Sequence, residues 1–432
     1  MAEAIPYPSP PPGPLRDVAA CLRAGVLSPQ NAQMLLHQGV TWSLVAPHVQ
    51  DRDWWQAQRP ATASPPTLPW VIRAWDATLH LEVPGESLWI DPGPQAPDPS
   101  SLSPPDLIVV THAHHDHVAR LGEYSATYPS TPVVMSHETA ALLSLRARSD
   151  PSLRECLDLR TVRLHLGEQR TLGGVQLKLL PAGHLLGAAT PEIGLGEDKL
   201  LITGDFALRD VGGVPGATWP EESYTLIVME ATEGERGSLP MADPEANRKP
   251  FLQEVSDLLG KGKRRLLVPS QAMGQAQELY AGLALAQQAG AFPNLRVRLA
   301  GFAAMVSEMY QEALETLPGP WECPFFTLAM DQVPDDSLVI ASGGDPDREG
   351  GLANRLASTL EKSTDGQTLW HPTVSTHAGW GERMALVVGV PCHAVVLYHG
   401  FSLSLQTALS EMGRKAGSLS LEGEEWIAHN NL

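Results

Sequence analysis

The sequence predicts an α/β protein, and three observations carry that expectation. Short apolar runs rich in β-branched residues recur along most of the chain, segments of helical periodicity stand between several of them, and ligand-type side chains gather where runs end. Functional residues in α/β folds tend to sit just past strand ends. The runs are Leu107–Val110, Val133–Met135, Val175–Leu180, Leu200–Thr203, Leu226–Met229, Leu266–Val268, Val297–Leu299, Leu338–Ile340 and Val395–Tyr398, each of strand length. Phe251, Val255, Leu258 and Leu259 share one helical face, as do Ala276, Leu279, Leu283 and Ala286. No internal repeat and no heptad pattern is present.

Composition narrows the class. At 432 residues the chain exceeds one ordinary core, so two domains and an extension are expected. Hydrophobic residues at 43% and charged residues at 18% mark a globular rather than a disordered chain. The opening MAEAIPYPSPPPGP lacks the basic and apolar regions of a signal peptide. The most apolar long segment, Met384 to Tyr398, is interrupted by Pro391 and His393 and is too short to span a bilayer. Cys21, Cys156, Cys323 and Cys392 form no CxxC and no framework, so a cytoplasmic protein without disulfides or a thiolate zinc site is expected. The net charge of −19 and pI near 5.2 argue against a generic nucleic-acid binder and against long-range steering of a polyanion. They weaken non-specific binding more than catalysis, because bound cations and a local basic patch can still handle one phosphate. The one dense basic run, Lys261-Gly-Lys-Arg-Arg265, reads as a helix C-terminal cap, with an RNA contact as the other reading.

Residues 1–66 read as an extension bounded by Pro-rich linkers, PYPSPPPGP and ATASPPTLP. Between them, residues 15–25 and 28–38 read as short helices, the second opened by Ser28-Pro29 and stopped at Gly39. The string LSPQNAQMLLHQGVT resembles the N-terminal segment of RecJ-type exonucleases; a small helical docking piece is the simpler reading.

The strongest signal follows Leu107–Val110. An apolar strand runs into Thr111-His112-Ala-His114-His115-Asp116-His117, an HxHxDH pattern in which His115 holds the variable position and is read as a bystander. Imidazole and carboxylate together suit zinc in an open, catalytic site. Two later strands each deliver one ligand type at their ends: Val175–Leu180 leads to Pro181-Ala-Gly-His184, and Leu200–Thr203 leads to Gly204-Asp205. A carboxylate able to bridge two cations is what a dinuclear site requires. Upstream, Leu88-Trp-Ile-Asp91-Pro-Gly ends in an acid that is either a turn carboxylate or an orienting partner for a ligand histidine.

HAHHDH, AGHLLG and ITGDF, in this order and spacing, resemble the metallo-β-lactamase superfamily. The resemblance implies an αββα sandwich with two divalent ions at one edge, zinc first and manganese as the alternative. It implies His112, His114, His184 and Asp205 around one ion, and Asp116, His117 and bridging Asp205 around the other. Thr225-Leu-Ile-Val-Met-Glu230-Ala-Thr-Glu-Gly, Arg265-Leu-Leu-Val-Pro-Ser-Gln-Ala-Met-Gly-Gln-Ala-Gln-Glu-Leu, Leu338-Val-Ile-Ala-Ser342-Gly343, Ser375-Thr-His377-Ala and Val395-Val-Leu-Tyr-His399-Gly resemble the motifs of its β-CASP branch. That branch includes RNase J and the endonuclease subunit of the polyadenylation machinery. The implied layout is an extension (1–66), a sandwich domain in two parts (67–236 and 371–432) and an inserted α/β β-CASP domain (237–370).

The same resemblance implies roles. His377 is expected as general acid, Glu230 as its orienting acid, Asp116 in the catalytic set, His399 as a further metal ligand, and Ser342, Gly343 and Ser375 against the substrate. A water between two divalent ions becomes a hydroxide near neutral pH, and a histidine held by a carboxylate suits the departing oxygen's need for a proton. The function so implied is a dinuclear nuclease acting on nucleic acid, RNA in preference to DNA because a histidine stands at position 399. No membrane partner is expected, and a homodimer is left open. Three positions depart from the branch pattern: Gln275 replaces an arginine, Glu233 a tyrosine and Thr376 a glycine. Other readings are a DNA-repair nuclease of the same fold, a small-molecule metallohydrolase, and a non-catalytic scaffold of an RNA-processing complex.

Overall fold

The computed structural model describes residues 63–148, 150–220, 222–233, 244–314, 333–342, 352–360, 363–370, 374–400, 402–411, 414–419 and 424–428. The two helices expected within residues 15–38, and Gly343, lie outside these residues.

Three sheets form the frame, with elements numbered in chain order. The first holds β1 (Trp70–Trp75), β2 (Thr78–Val83), β3 (Glu86–Ile90), β4 (Leu107–Val109), β5 (Val133–Ser136), β6 (Thr161–Leu164) and β18 (Glu424–Ala428), in the order β18-β1-β2-β3-β4-β5-β6. The second holds β7 (Gln169–Leu172), β8 (Val175–Pro181), β9 (Ala189–Leu195), β10 (Asp198–Ile202), β11 (Tyr224–Ala231), β16 (Cys392–Gly400) and β17 (Lys415–Ser418), in the order β17-β16-β11-β10-β9-β8-β7. The third is parallel and smaller: β13 (Arg296–Ala300), β14 (Ser337–Ala341), β12 (Arg265–Pro269) and β15 (Gly366–Thr368). The chain thus leaves the second sheet after β11, builds the third, and returns through β16.

Strand parity sets the layers. Leu107 and Val109 of β4 enter the core between the first two sheets together with Leu200, Val228 and Val396, whereas Ile108 and Val110 face the other way. There they meet α2 (Leu121–Thr127), α3 (His137–Arg146) and α4 (Pro151–Leu159), through residues such as Tyr124, Leu142 and Leu157. On the far side of the second sheet, Ile227, Met229, Val395 and Leu397 pack with α9 (Trp380–Gly389) and α10 (Leu403–Glu411). Strands covered on both faces read as unbroken apolar runs, which is why β4, β11 and β16 stand out in the sequence. The result is an αββα sandwich. The third sheet repeats the logic: Leu266 and Val268 pack with α5 (Pro244–Gly260), α6 (Gln275–Gln288) and α7 (Phe302–Ala313), while Leu267 packs with α8 (Leu352–Leu360).

Several strands were not legible in the sequence. β9 contains Pro191 and Gly194, which count against a central strand. Its pairing with β10 begins at Glu192, so the N–H that Pro191 lacks is not needed on that side. The apolar segment Met384 to Tyr398 is no single element but the end of α9 followed by β16. Among the described residues no helix is long and apolar enough to cross a membrane. Cys156 and Cys392 are free and buried.

Asp198 fastens the approach to β1. Its carboxylate accepts from Thr67 N and Oγ1 at 2.8 and 2.9 Å, from Leu68 N at 2.9 Å and from the Trp70 indole at 2.9 Å. Asp198→Ala removes a charged acceptor from four donors and is expected to cost about 2–4 kcal/mol. Urea unfolding should show a lowered midpoint with an unchanged slope.

Candidate metal centre

The site lies where strand ends of both sheets meet. β4 leads into Thr111 and His112 and then into the one-turn helix α1 (His115–Val118), while β8 and β10 lead into His184 and Asp205. β10, β11 and β16 run parallel, so Asp205, Glu230 and His399 emerge at the same edge. His399 is placed by a bulge. The pairing runs Glu230 with Tyr398 and then Ala231 with Gly400, which leaves His399 as the extra residue at φ 50°. A bulge re-aims a side chain that regular pleating would send elsewhere.

Asp205 is the centre of the constellation. It is 1% exposed, and neither carboxylate oxygen has a hydrogen-bond partner. From Oδ2, His117 Nε2 lies at 3.3 Å, His112 Nε2 at 3.5 Å, and His184 Nε2 and His377 Nδ1 at 3.7 Å; His399 Nε2 is 3.8 Å from Oδ1. The facing nitrogens of His112, His117, His377 and His399 are buried and likewise without a partner. Buried polar atoms normally find one, so this convergence of unused lone pairs fits a divalent cation. The donors gather in overlapping sets: His112, His114, His184 and Asp205; Asp116, His117 and His399; and Asp205, Glu230 and His377, each within 4.8 Å. Imidazole with carboxylate is a donor set that suits zinc and is open to manganese.

Five of the imidazoles are oriented through their other nitrogen, as metal-binding histidines usually are. His112 Nδ1 meets Thr111 Oγ1 at 2.9 Å, His117 Nδ1 meets Asp91 at 2.8 Å, and His399 Nδ1 meets Asp76 at 2.8 Å. His184 Nδ1 donates to the Thr376 carbonyl at 2.9 Å, and His114 Nε2 to the Met273 carbonyl at 3.1 Å. His114 therefore faces the site through Nδ1, which is 3.2 Å from His184 Nε2. Asp91, open in the sequence between a turn and an orienting role, is fully buried and also accepts from Thr111 N and Oγ1 at 2.7 and 2.6 Å. His115 turns away and meets Arg146 at 2.7 Å.

Burial is the largest influence on most of these groups. It holds His112, His114 and His184 below the usual histidine range, in the neutral form that can donate a lone pair. At His117 burial opposes charge too, but the Asp205 and Asp91 carboxylates outweigh it and raise its pKa well above 6.5. His377 follows the same pattern: against burial, Asp205 and Glu230 lift it to about 9.

His377 Nδ1 lies 3.8 Å from Glu230 Oε1, an ion-pair distance rather than a hydrogen bond. Its loop is pinned by groups that sequence reading missed. Arg209, itself paired with Glu382, donates to the carbonyls of Ser375 at 2.7 Å and His377 at 3.1 Å. The Ser375 hydroxyl donates to Glu233 and accepts from His377 N at 3.1 Å. Ser342 is buried, and its hydroxyl accepts from Ala303 N at the start of α7. Gln275 spans Gln271 N and the Val374 carbonyl. Asp76 carries no motif; it reaches His399 only because β1 and β2 fold there. The basic run does close the C-terminus of α5, where Lys261 N, Gly262 N and Lys263 N donate to the Asp257, Leu259 and Leu258 carbonyls, while its side chains turn elsewhere: Lys263 donates to the Thr364 and Gly366 carbonyls, Arg264 pairs with Asp336, and Arg265 with Asp365. Lys263, Arg264 and Arg265 lie between the end of α5 and the beginning of β12, whereas the turn beyond the far end of β12 approaches the site.

Residues 80–244 match the family described as the metallo-beta-lactamase superfamily. An uncharacterized protein of Synechocystis, sll0514, is 32% identical over 52% of this chain and 39% of its own. Endoribonuclease YSH1 of Yarrowia lipolytica is 29% identical over 42% of this chain and 24% of its own. The chain therefore spans well under half the length of these curated relatives. A crystal structure of a protein of unknown function from Enterococcus faecalis shares the fold, with a TM-score of 0.54 over 83% of this chain and 99% of that one, at 15% identity. The sandwich, the edge site and these matches together show a metallo-beta-lactamase domain over residues 80–244 and a likeness to relatives that include an endoribonuclease.

Gly93 allows the turn after Asp91 to lie against the metal motif. A Cβ there would stand 1.8 Å from the Asp116 carbonyl oxygen, so Gly93→Ala must displace the helix carrying Asp116 and His117. A loss of about 2–3 kcal/mol is expected from such overpacking. Gly389→Ala, where an added Cβ meets nothing within 4 Å, is the control and should leave the melting temperature nearly unchanged.

Proposed function

We propose that this chain is a divalent-metal-dependent nuclease that hydrolyses phosphodiester bonds, with RNA as the preferred substrate. The observation that carries the reading is the buried Asp205 carboxylate, its oxygens unbonded and five imidazole nitrogens within 3.8 Å. His112, His114, His184 and Asp205 would hold one ion; Asp116, His117, His399 and the same Asp205 would hold a second. Zinc is the expected metal and manganese the alternative. Two such ions supply Lewis acidity, lowering the pKa of water and offsetting charge on a phosphate.

The protein's own groups do the rest. His377 is partly exposed, with 17% of its side chain open, so a substrate can reach it. Held near Glu230 and protonated at neutral pH, it gives its proton to the departing oxygen. Glu230, fully buried and anchored through Thr232 N at 2.8 Å, keeps the imidazole turned and charged. Arg209 fixes the backbone on either side of Thr376 and so fixes where His377 stands. Ser375 lies beside His377 and serves the substrate side of the loop; the Ser342 hydroxyl is already engaged at α7.

The RNA preference draws on His399, since in the resembling family a histidine there goes with RNA-processing members, and on a relative named as an endoribonuclease. The net charge of −19 and the Glu233 carboxylate beside Ser375 favour a second reading, in which the substrate is a short phosphodiester. Matched single-stranded RNA and DNA oligonucleotides, with a dinucleotide alongside, separate these. Faster initial cleavage of RNA is expected; equal or faster DNA cleavage overturns the RNA assignment, and turnover of the dinucleotide alone favours the second reading.

His377→Ala should keep its metal content and lose about a hundredfold to ten-thousandfold in turnover, the usual worth of general acid catalysis. Glu230→Gln should show a milder loss. Metal content by elemental analysis decides the matter: a His377→Ala chain that loses metal, or keeps full activity, contradicts the proton-donor role.

A further inference from the structure

Two of the imidazoles around Asp205 are held by the insertion and the segment returning from it. The Met273 carbonyl that accepts from His114 lies in the turn between β12 and α6. The Thr376 carbonyl that accepts from His184 lies between β15 and α9. A third contact joins the insertion to the loop that carries His184. The hydroxyl of Tyr310 in α7, fully buried, accepts from Leu186 N at 2.9 Å, two residues past His184. Gly274 sits at φ +78°, and a Cβ there would approach the His184 carbonyl oxygen at 3.4 Å. One hydroxyl thus ties the loop carrying His184 to α7, and the turn at Gly274 packs against the same loop. The remaining imidazoles are oriented differently: His112, His117 and His399 lean on Thr111, Asp91 and Asp76, all belonging to the sandwich.

We propose that the inserted domain is a working part of the metal centre, coupled to one of its two ion positions and not to the other. Tyr310 is the positioning residue of that coupling. With α7 seated, its hydroxyl holds the His184 loop against the insertion, and the two carbonyls select the tautomers that aim His114 Nδ1 and His184 Nε2 at Asp205. The ion position built from His112, His114, His184 and Asp205 then depends on the insertion, whereas the position built on Asp116, His117 and His399 depends on the sandwich alone. Such coupling is reciprocal, so an ion at the first position steadies the insertion in turn. The proposal rests on the metal-binding reading above.

Tyr310→Phe keeps the ring and removes the acceptor. The full chain, stripped of metal, is titrated with zinc in competition with a chromophoric chelator, beside wild type and Asp76→Asn. Loss of an orienting contact typically weakens metal affinity about tenfold to a hundredfold, so Tyr310→Phe should weaken one of two binding steps by that much. The other step should stay within about twofold, the range of an uncoupled change, and Asp76→Asn should weaken that other step instead. In wild type, zinc saturation should slow hydrogen exchange over residues 271–278 and 303–313; this measurement decides alone should Tyr310→Phe not fold. Two ions bound with both steps unaffected by Tyr310→Phe, both steps weakened equally, or no added protection in the insertion, overturns the coupling. Wild type that takes up neither ion overturns the metal reading itself, and the coupling with it.

Discussion

A carboxylate taken out of water without a partner costs several kcal/mol, and Asp205 is such a group. Its two oxygens are buried and unbonded, and the structure around it answers that charge with imidazoles delivered from three separate strand ends and one loop. No one of these residues is placed by its neighbours in sequence alone. His112 depends on the end of β4, His184 on the end of β8 and His399 on a bulge between β11 and β16. The sandwich brings the parallel strands of both sheets to a common edge, and the site is what that edge makes available.

The imidazoles around Asp205 carry opposing electrostatic demands. Burial holds the pKa of His112, His114 and His184 below the usual range, whereas carboxylates raise that of His117, His377 and His399 against the same burial. The division follows from which histidines face an acid through a second nitrogen or a close neighbour. Asp91 does this for His117, and Glu230 with Asp205 does it for His377. Burial-governed and acid-paired histidines thus stand within one cluster and are told apart by their partners rather than by their own chemistry.

Charge at longer range tells a different story. The chain carries a net −19, and its densest basic run is consumed by Asp336, Asp365 and backbone carbonyls at the start of β12. Arg209 and Arg248 are likewise paired, with Glu382 and Glu278. A polyanionic substrate would be met by local groups at the edge site rather than drawn in by a broad field.

By itself the sequence determined the apolar runs that became β4, β8, β10, β11, β12, β14 and β16, the two helical faces of α5 and α6, and the metal-type residues His112, His114, Asp116, His117, His184 and Asp205. Most were legible because strands covered on both faces must be continuously apolar, β8 because its apolar residues alternate, and the HxHxDH ligand types because they fall within six positions. Tertiary structure alone decided what orients them. Asp76 meets His399 across 323 residues, Tyr310 meets Leu186 across 124, and the Met273 and Thr376 contacts are made by carbonyls that every residue possesses. β9, with its internal proline and glycine, was also beyond local reading, because register with β8 and β10 rather than propensity makes it a strand. A ligand is written in a side chain's identity and can be read from sequence; an orienting contact is written in proximity, which exists only once the chain has folded.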